Sequence, residues 1–347
     1  MKRLILCLIF LFPMVITQAC FDASNHDKST TLSANRQIML SMQPYLIDLA
    51  EWEFNNFIKR DDSANTKVPY LKEQIVHTLQ KNRLPVIPPV NFKIERPPYL
   101  LVISPRDKIL YYDRILLRQD LSENEIEEAE KRVDALGFSS LVVELGGFGA
   151  AYPAIVSPNM ELQQIINAAV EEWAHQHLAF KPLGFLYLID SLGIRQDPEI
   201  IIMNESLAGI IADEIGKAVY ENYYQSVDTR ITQKLDMEFA FDAEMRKTRC
   251  EADRFLADGK IDEAESYMEQ RRILFVQHGY HIRKLNQAYF AFHGIYGQDP
   301  GSVSPVYTEM KQLRAEYHTL ADFVADVSMM KSHEELKVAV SRNTYSQ

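Results

Sequence analysis

Glu171, Glu172 and His175 fall in one stretch, Glu161 to Phe180, whose apolar residues Leu162, Ile165, Ile166, Ala169 and Trp173 recur at helical spacing. That periodicity predicts an amphipathic helix with one buried face. Residues four apart on a helix lie one above the other, so Glu171 and His175 can share a metal ion, with Glu172 about 100° round the axis. The pattern is H-E-x-x-H with glutamate in place of the first histidine. On its own, an E-x-x-x-H spacing also fits an ordinary solvated helix face. His177, two positions beyond His175, should face away and is not expected to be a ligand.

A second helix is expected from Pro198 to about Tyr223, and it carries Asn204-Glu205 among Ile200, Met203, Leu207, Ala208, Ile210 and Ile211. A carboxylate buried unpaired in so apolar a run costs several kcal/mol. A divalent cation would supply the partner: Glu171, His175 and Glu205 make three protein ligands and leave a fourth position for water. Glu172 then stands where a general base would take a proton, which is the logic of metal-assisted hydrolysis.

The elements that must position these groups follow from the rest of the chain. With 347 residues and 47% apolar content it is long enough for one large or two smaller domains. A formal charge of −11 argues against nucleic acid as the main partner. Lys2-Arg3, the apolar run Leu4 to Ile16, and Thr17-Gln18-Ala19 have the layout of a secretory signal over residues 1–19, so the chain is expected in the cell envelope or outside it. Cys20 directly after Ala19 leaves a lipid anchor and simple cleavage both open. The chain has three cysteines, Cys7, Cys20 and Cys250, too few for a disulfide framework, and Cys250 reads as an incidental thiol.

Residues 20–37 read as a flexible tether, and residues 38–98 as helices (38–59 and 70–80) followed by a proline-dense linker. Tyr99 to Ser104 and Ile109 to Leu117 are expected as a strand hairpin, Ser122 to Leu136 as a helix with a Ser122/Glu125 capping box, and Ser139 to Leu145 as a third strand. Gly146-Gly147-Phe148-Gly149 breaks the pattern, and Ala150 to Val156 resumes as an edge strand or loop. As an edge strand next to the metal helix it would pair with a peptide, with Gly147, Phe148 and Gly149 contacting substrate. Lys181-Pro182-Leu183-Gly184 is expected to end the metal helix. Asp228 to Leu256 and Asp262 to Ala291 are expected as a long antiparallel helical hairpin, within residues 226–292, before a C-terminal helical segment, 293–347. The fold class is therefore α+β, mostly α.

The order of glycine-rich strand, E-E-x-x-H helix and Asn204-Glu205 helix resembles the glutamate-type zincin metallopeptidases, specifically the bacterial predicted aminopeptidases of the cell envelope. The likeness runs from about Leu141 to Val338 and includes Leu285-Asn286-Gln287-Ala288-Tyr289-Phe290-Ala291 and Gly294-Ile295-Tyr296, similar to that family's closing helix and turn. It implies a zincin-like domain, residues 99–225, with Glu172 catalytic, His175 and Glu205 as second and third ligands, and a peptide as substrate. Glu171 stands where the family has its first histidine. The extra carboxylate should weaken the acidity of bound water, so Zn remains the first expectation and harder Mn or Fe is admitted.

Acyl hydrolysis also needs an oxyanion donor, for which Tyr289, His293 and Tyr296 qualify by type. Aminopeptidase action needs an acid for the free amine, and Glu144 is the nearby choice. Two other readings compete: a degenerate zincin acting as an envelope scaffold through its helical hairpin, and a di-iron carboxylate site. The second needs a further Glu-x-x-His, which is not found near Glu205.

Overall fold

A computed structural model of the chain describes residues 29–48, 51–52, 67–191, 194–195, 197–225 and 239–344. The expected export signal and Cys20 lie outside these residues. No helix among them is long and apolar enough to cross a membrane. The fold is mostly helical with small sheets, as the α+β, mostly α reading anticipated.

The N-terminal half runs α1 (Ser29–Met42), α2 (Lys67–Lys81), β1 (Phe92–Ile94), β2 (Tyr99–Pro105), β3 (Asp113–Leu117), α3 (Glu123–Asp134), β4 (Phe138–Glu144), β5 (Gly147–Phe148) and β6 (Ala154–Val156). Then come α4 (Leu162–Leu178), α5 (Pro182–Ser191), α6 (Pro198–Tyr223), α7 (Phe241–Ala257) and α8 (Ile261–Gln277). The chain closes with α9 (Gln287–His293), α10 (Val306–Ala315), α11 (Leu320–Val327) and α12 (His333–Thr344).

One antiparallel sheet has the order β3-β2-β4. Strand side chains alternate between faces, so Tyr99, Leu101, Ile103, Ile115 and Leu117 pack on Ile38 and Met42 of α1 and Ala129 and Val133 of α3. Leu100, Val102 and Leu141 on the reverse face meet Ala288 of α9. Burial on both faces explains why Tyr99 to Ile103 reads as an unbroken apolar run. The Ser122/Glu125 capping box forms as expected, and α3 ends before Gly137, whose φ is +87°.

The second sheet has the order β1-β6-β5, with β1 parallel and β5 antiparallel to β6. Residues 154–156 thus form the central strand, not the edge that Ala150 to Val156 was expected to make. Pro153 is tolerated because it precedes the first paired residue, Ala154. Among the described residues the edges belong to β1 and to β5, which carries Gly147 and Phe148.

Three helix boundaries also differ from the periodicity reading. Residues 29–37 of the expected tether already belong to α1, which stops at Met42, before Pro44. Pro182 opens a new helix after ending the old one, because proline is preorganised for a first helical position. Of the hairpin helices, α8 is shorter than expected, since it stops before Gly279 (φ +88°) and Asn286 caps the separate α9, while residues 228–238 of the first expected helix lie outside the described residues. The hairpin's anchor on the first sheet is ionic. Arg106 reaches Glu265 at 2.7 Å, and just past the hairpin Arg283 reaches the buried Glu130 and Lys284 the partly exposed Asp134 of α3.

Candidate metal centre

Helices α4 and α6 lie lengthwise against each other in the largest apolar core, where Ile166, Val170 and Ala174 meet Met203, Leu207 and Ile211. Asp197 caps α6 by accepting from the amides of Glu199 and Ile200, and Pro198 fills its first position. The back of α4 is fixed to the proline-dense segment: Trp173 Nε1 donates to the Pro88 carbonyl at 2.9 Å. His177 Nδ1 bonds the Ile87 carbonyl at 2.6 Å and its ring stacks on Trp173, so His177 is structural, facing away from the metal candidates as its position implied.

The front of α4 presents Glu171, Glu172 and His175, all half-buried, toward Glu205, which is buried. One donor atom from each of Glu171, His175 and Glu205 lies within 4.8 Å of the other two. His175 Nε2 and Glu205 Oε2 are 3.4 Å apart, close to the roughly 3.3 Å that tetrahedral ligands with about 2.0–2.1 Å bonds would show. The outer atoms of two of the candidates are already engaged. His175 Nδ1–H donates to Asn204 Oδ1 at 2.8 Å, which directs Nε2 inward. Tyr187 donates its hydroxyl to Glu205 Oε1 at 2.8 Å and stacks on His175, leaving Oε2 for the centre. With the outer atoms of His175 and Glu205 held and one atom of each of the three residues converging, the group could hold a divalent cation.

Glu172 occupies a cradle one turn from Gln176 on α4. A Cβ on Gly147 would overlap its Oε1 and a Cβ on Gly149 its Oε2, so only glycine lets the loop approach this carboxylate. The Gly149 amide donates to Glu172, and Gln176 Nε2 donates to the Gly149 and Ala151 carbonyls at 3.1 and 2.8 Å. The cradle is thereby bolted to the helix that carries the acid. The Phe148 side chain packs into a small cluster with Ala151, Ile155 and Trp52, which leaves its backbone on the β5 edge.

Of the oxyanion candidates, Tyr296 is in electrostatic reach of Glu205 and Glu171. The Tyr289 ring lies tilted against His293 with centroids 4.1 Å apart, and His293 bonds Asp299 at 2.7 Å. Those two belong to a separate pair. Glu144 is exposed on β4 opposite Tyr99.

Burial, then repulsion from Glu205 and Asp213, lifts Glu171 to about 7 against the pull of His175. Burial, with Glu171 and Glu205 adding to it, lifts Glu172 to about 8. Burial opposes the charged form of His175, but Glu205, Glu172 and Glu171 outweigh it and raise the imidazole to about 10. Burial would raise Glu205, yet His175, Tyr187 and Arg114 hold it below the usual carboxylate range.

A pH signature follows from these shifts. Glu171, Glu172 and His175 keep protons in the fold that the unfolded chain gives up near 4.5, 4.5 and 6.5. Their contribution to the stability of the metal-free fold is complete below those values and is lost as pH rises through about 7, 8 and 10. A cation must displace protons from its ligands, so its stabilising effect grows over the same window. Thermal melts at about pH 5.5 and about pH 8 should show the chelator-treated protein melting lower at the higher pH and the metal-induced increase in Tm becoming larger. A metal effect independent of pH would place the ion elsewhere.

Sequence reading missed Tyr187 and Arg114. The run Phe185-Leu186-Tyr187-Leu188-Ile189 after Pro182 was the available signal for α5 and its tyrosine. Gly184 brings that helix in: a Cβ there would overlap the Leu178 carbonyl at the end of α4. No protein-family model, curated protein or solved structure matches the chain, so the functional reading rests on this geometry.

Proposed function

We propose that the chain is an exported, metal-dependent peptidase of zincin-like type, acting on peptides in the cell envelope or outside it. The observation that carries the reading is the convergence of the inner donor atoms of Glu171, His175 and Glu205, with Glu172 held beside them by Gly147 and Gly149. One divalent cation belongs there, Zn first, with Mn or Fe suited to a set of one nitrogen and two carboxylates. When bound, it would polarise a scissile carbonyl and acidify water at neutral pH.

The chain's own residues would do the rest. Glu172 accepts the proton of the attacking water and returns it to the leaving amine. Tyr296 offers a hydroxyl to the oxygen on which negative charge develops. The β5 edge at Gly147 and Phe148 would hold an extended peptide by backbone hydrogen bonds, just beside Glu172. The leader-like residues 1–19 support export, with Cys20 as a site for lipid or as a new N-terminus.

A scaffold reading draws on two features: Glu171 occupies a slot that the resembled family fills with histidine, and His175 and Glu205 already satisfy each other as an ion pair. Metal content separates the two. Protein purified without its first twenty residues should carry about one equivalent of a transition metal and hydrolyse a mixed fluorogenic peptide pool, with activity lost to a chelator. Absence of metal, and no gain in Tm on adding Zn, Mn or Fe, would defeat the peptidase reading.

A further inference from the structure

Arg114 lies on β3 opposite Val102, which puts it on the same sheet face as Leu100, Val102, Leu116 and Leu141. It is a lone cation on an apolar surface. Its Nη2 donates to the Ser191 carbonyl at 2.8 Å, at the last residue of α5. Tyr187, four residues earlier, lies on the same face of that helix, about one turn or roughly 5–6 Å away. Tyr187 is the residue that both bonds Glu205 and stacks on His175, so α5 sets the guanidinium beside the metal cluster. On the other side the guanidinium stands over the Tyr111 ring, 5.9 Å from its centroid.

Among the described residues Arg114 forms no ion pair, whereas Arg106, Arg249, Arg271, Arg283 and Arg314 each do. A guanidinium has five N–H donors, and the Ser191 carbonyl and Tyr111 leave several unused. Glu205 feels this charge only through space, and the side chain is half-buried with no unpartnered donor sealed away from solvent, so the remaining donors are open to a ligand beside the cluster. The matching anion is a carboxylate, whose two oxygens accept from the planar fork of the guanidinium.

We propose that Arg114, flanked by Tyr111 and Tyr187, is a subsite for the terminal carboxylate of a peptide, so that the enzyme removes residues from the C-terminal end. The proposal rests on the peptidase reading for its consequence, but the subsite itself needs no metal. It also accounts for the position of Glu144, the acid suggested for a substrate amine, which sits exposed on β4 and leaves a cation as the fixed charge for an incoming chain end.

The test compares N-acetyl-alanyl-alanine with its C-terminal amide by calorimetric titration of the full chain, chelator-treated and, with Glu172→Gln to prevent cleavage, metal-loaded. The free acid should bind about tenfold or more tightly than the amide in both forms, the discrimination of one charge-assisted pair. Arg114→Met should erase the preference, and Arg114→Lys, which keeps the charge but loses the fork, should retain part of it with an unchanged melting profile. Equal binding of acid and amide, no binding of either at millimolar concentration, or a preference that survives Arg114→Met would each overturn the subsite. Metal content of the wild-type protein is read separately: an acid preference without metal would sink the peptidase reading alone, and metal without an acid preference would sink the subsite alone.

Discussion

Replacing Glu172 by glutamine should lower peptide hydrolysis by about 10³-fold while leaving metal content unchanged, since general-base catalysis supplies roughly 10²–10⁴-fold. The substitution keeps shape and removes the ability to accept a proton. Glu172 is not one of the three convergent donors, so the cation loses no ligand. The cradle offers a second route to the same end. Gly149→Ala puts a methyl group where Glu172 Oε2 now sits, and displacing the acid by about an ångström should cost about 10²-fold, again with metal retained. Undiminished hydrolysis in Glu172→Gln, measured beside metal content on one preparation, would remove Glu172 from the chemistry.

Glu205→Ala should have the larger effect on binding, because Glu205 serves three partners. It offers Oε2 to the centre, accepts from Tyr187 through Oε1 and neutralises His175. Loss of an outer-sphere partner alone typically weakens a metal site 10–100-fold, so loss of the ligand should weaken it by more than about 100-fold. The metal-free protein should suffer as well. Removing one side of a buried pair costs about 3–5 kcal/mol, and the low end applies here because His175 can shed its proton when its counter-charge goes. Calorimetric titration with Zn, set beside denaturant unfolding in chelator, reads the two effects independently. Full metal affinity in Glu205→Ala would mean that Glu205 is a structural acid.

The metal candidates were readable from the sequence because helical periodicity converts spacing into direction. Glu171 and His175 are paired by their four-residue separation, and Glu205 is betrayed by the apolar run around it. The supporting groups carry no such mark. Tyr187 sits in a segment that Pro182 and Gly184 made look like a stop, although Pro182 opens α5. Arg114 is one charged residue in a strand, and only the Val102 register and the Ser191 carbonyl give it a place. The expectation for the hairpin's second helix failed for a related reason: residues 280–285 lie between Gly279 and the Asn286 cap. Sheet order is a tertiary property, so the central position of 154–156 depended on a pairing with Phe92 to Ile94 that no local pattern announces.

That parallel pairing bears on portability. The proline-dense segment looks like a connector between modules, yet it contributes β1 to the sheet beneath the acid and supplies Pro88 and Ile87 to the rear of α4. A fragment begun at Tyr99 to isolate the centre would lose a neighbouring strand and both carbonyl acceptors of that rear face. Any transplant of the centre into another scaffold therefore has to carry the stretch from Pro85 onward, because the helix is gripped from behind as firmly as its front is arranged.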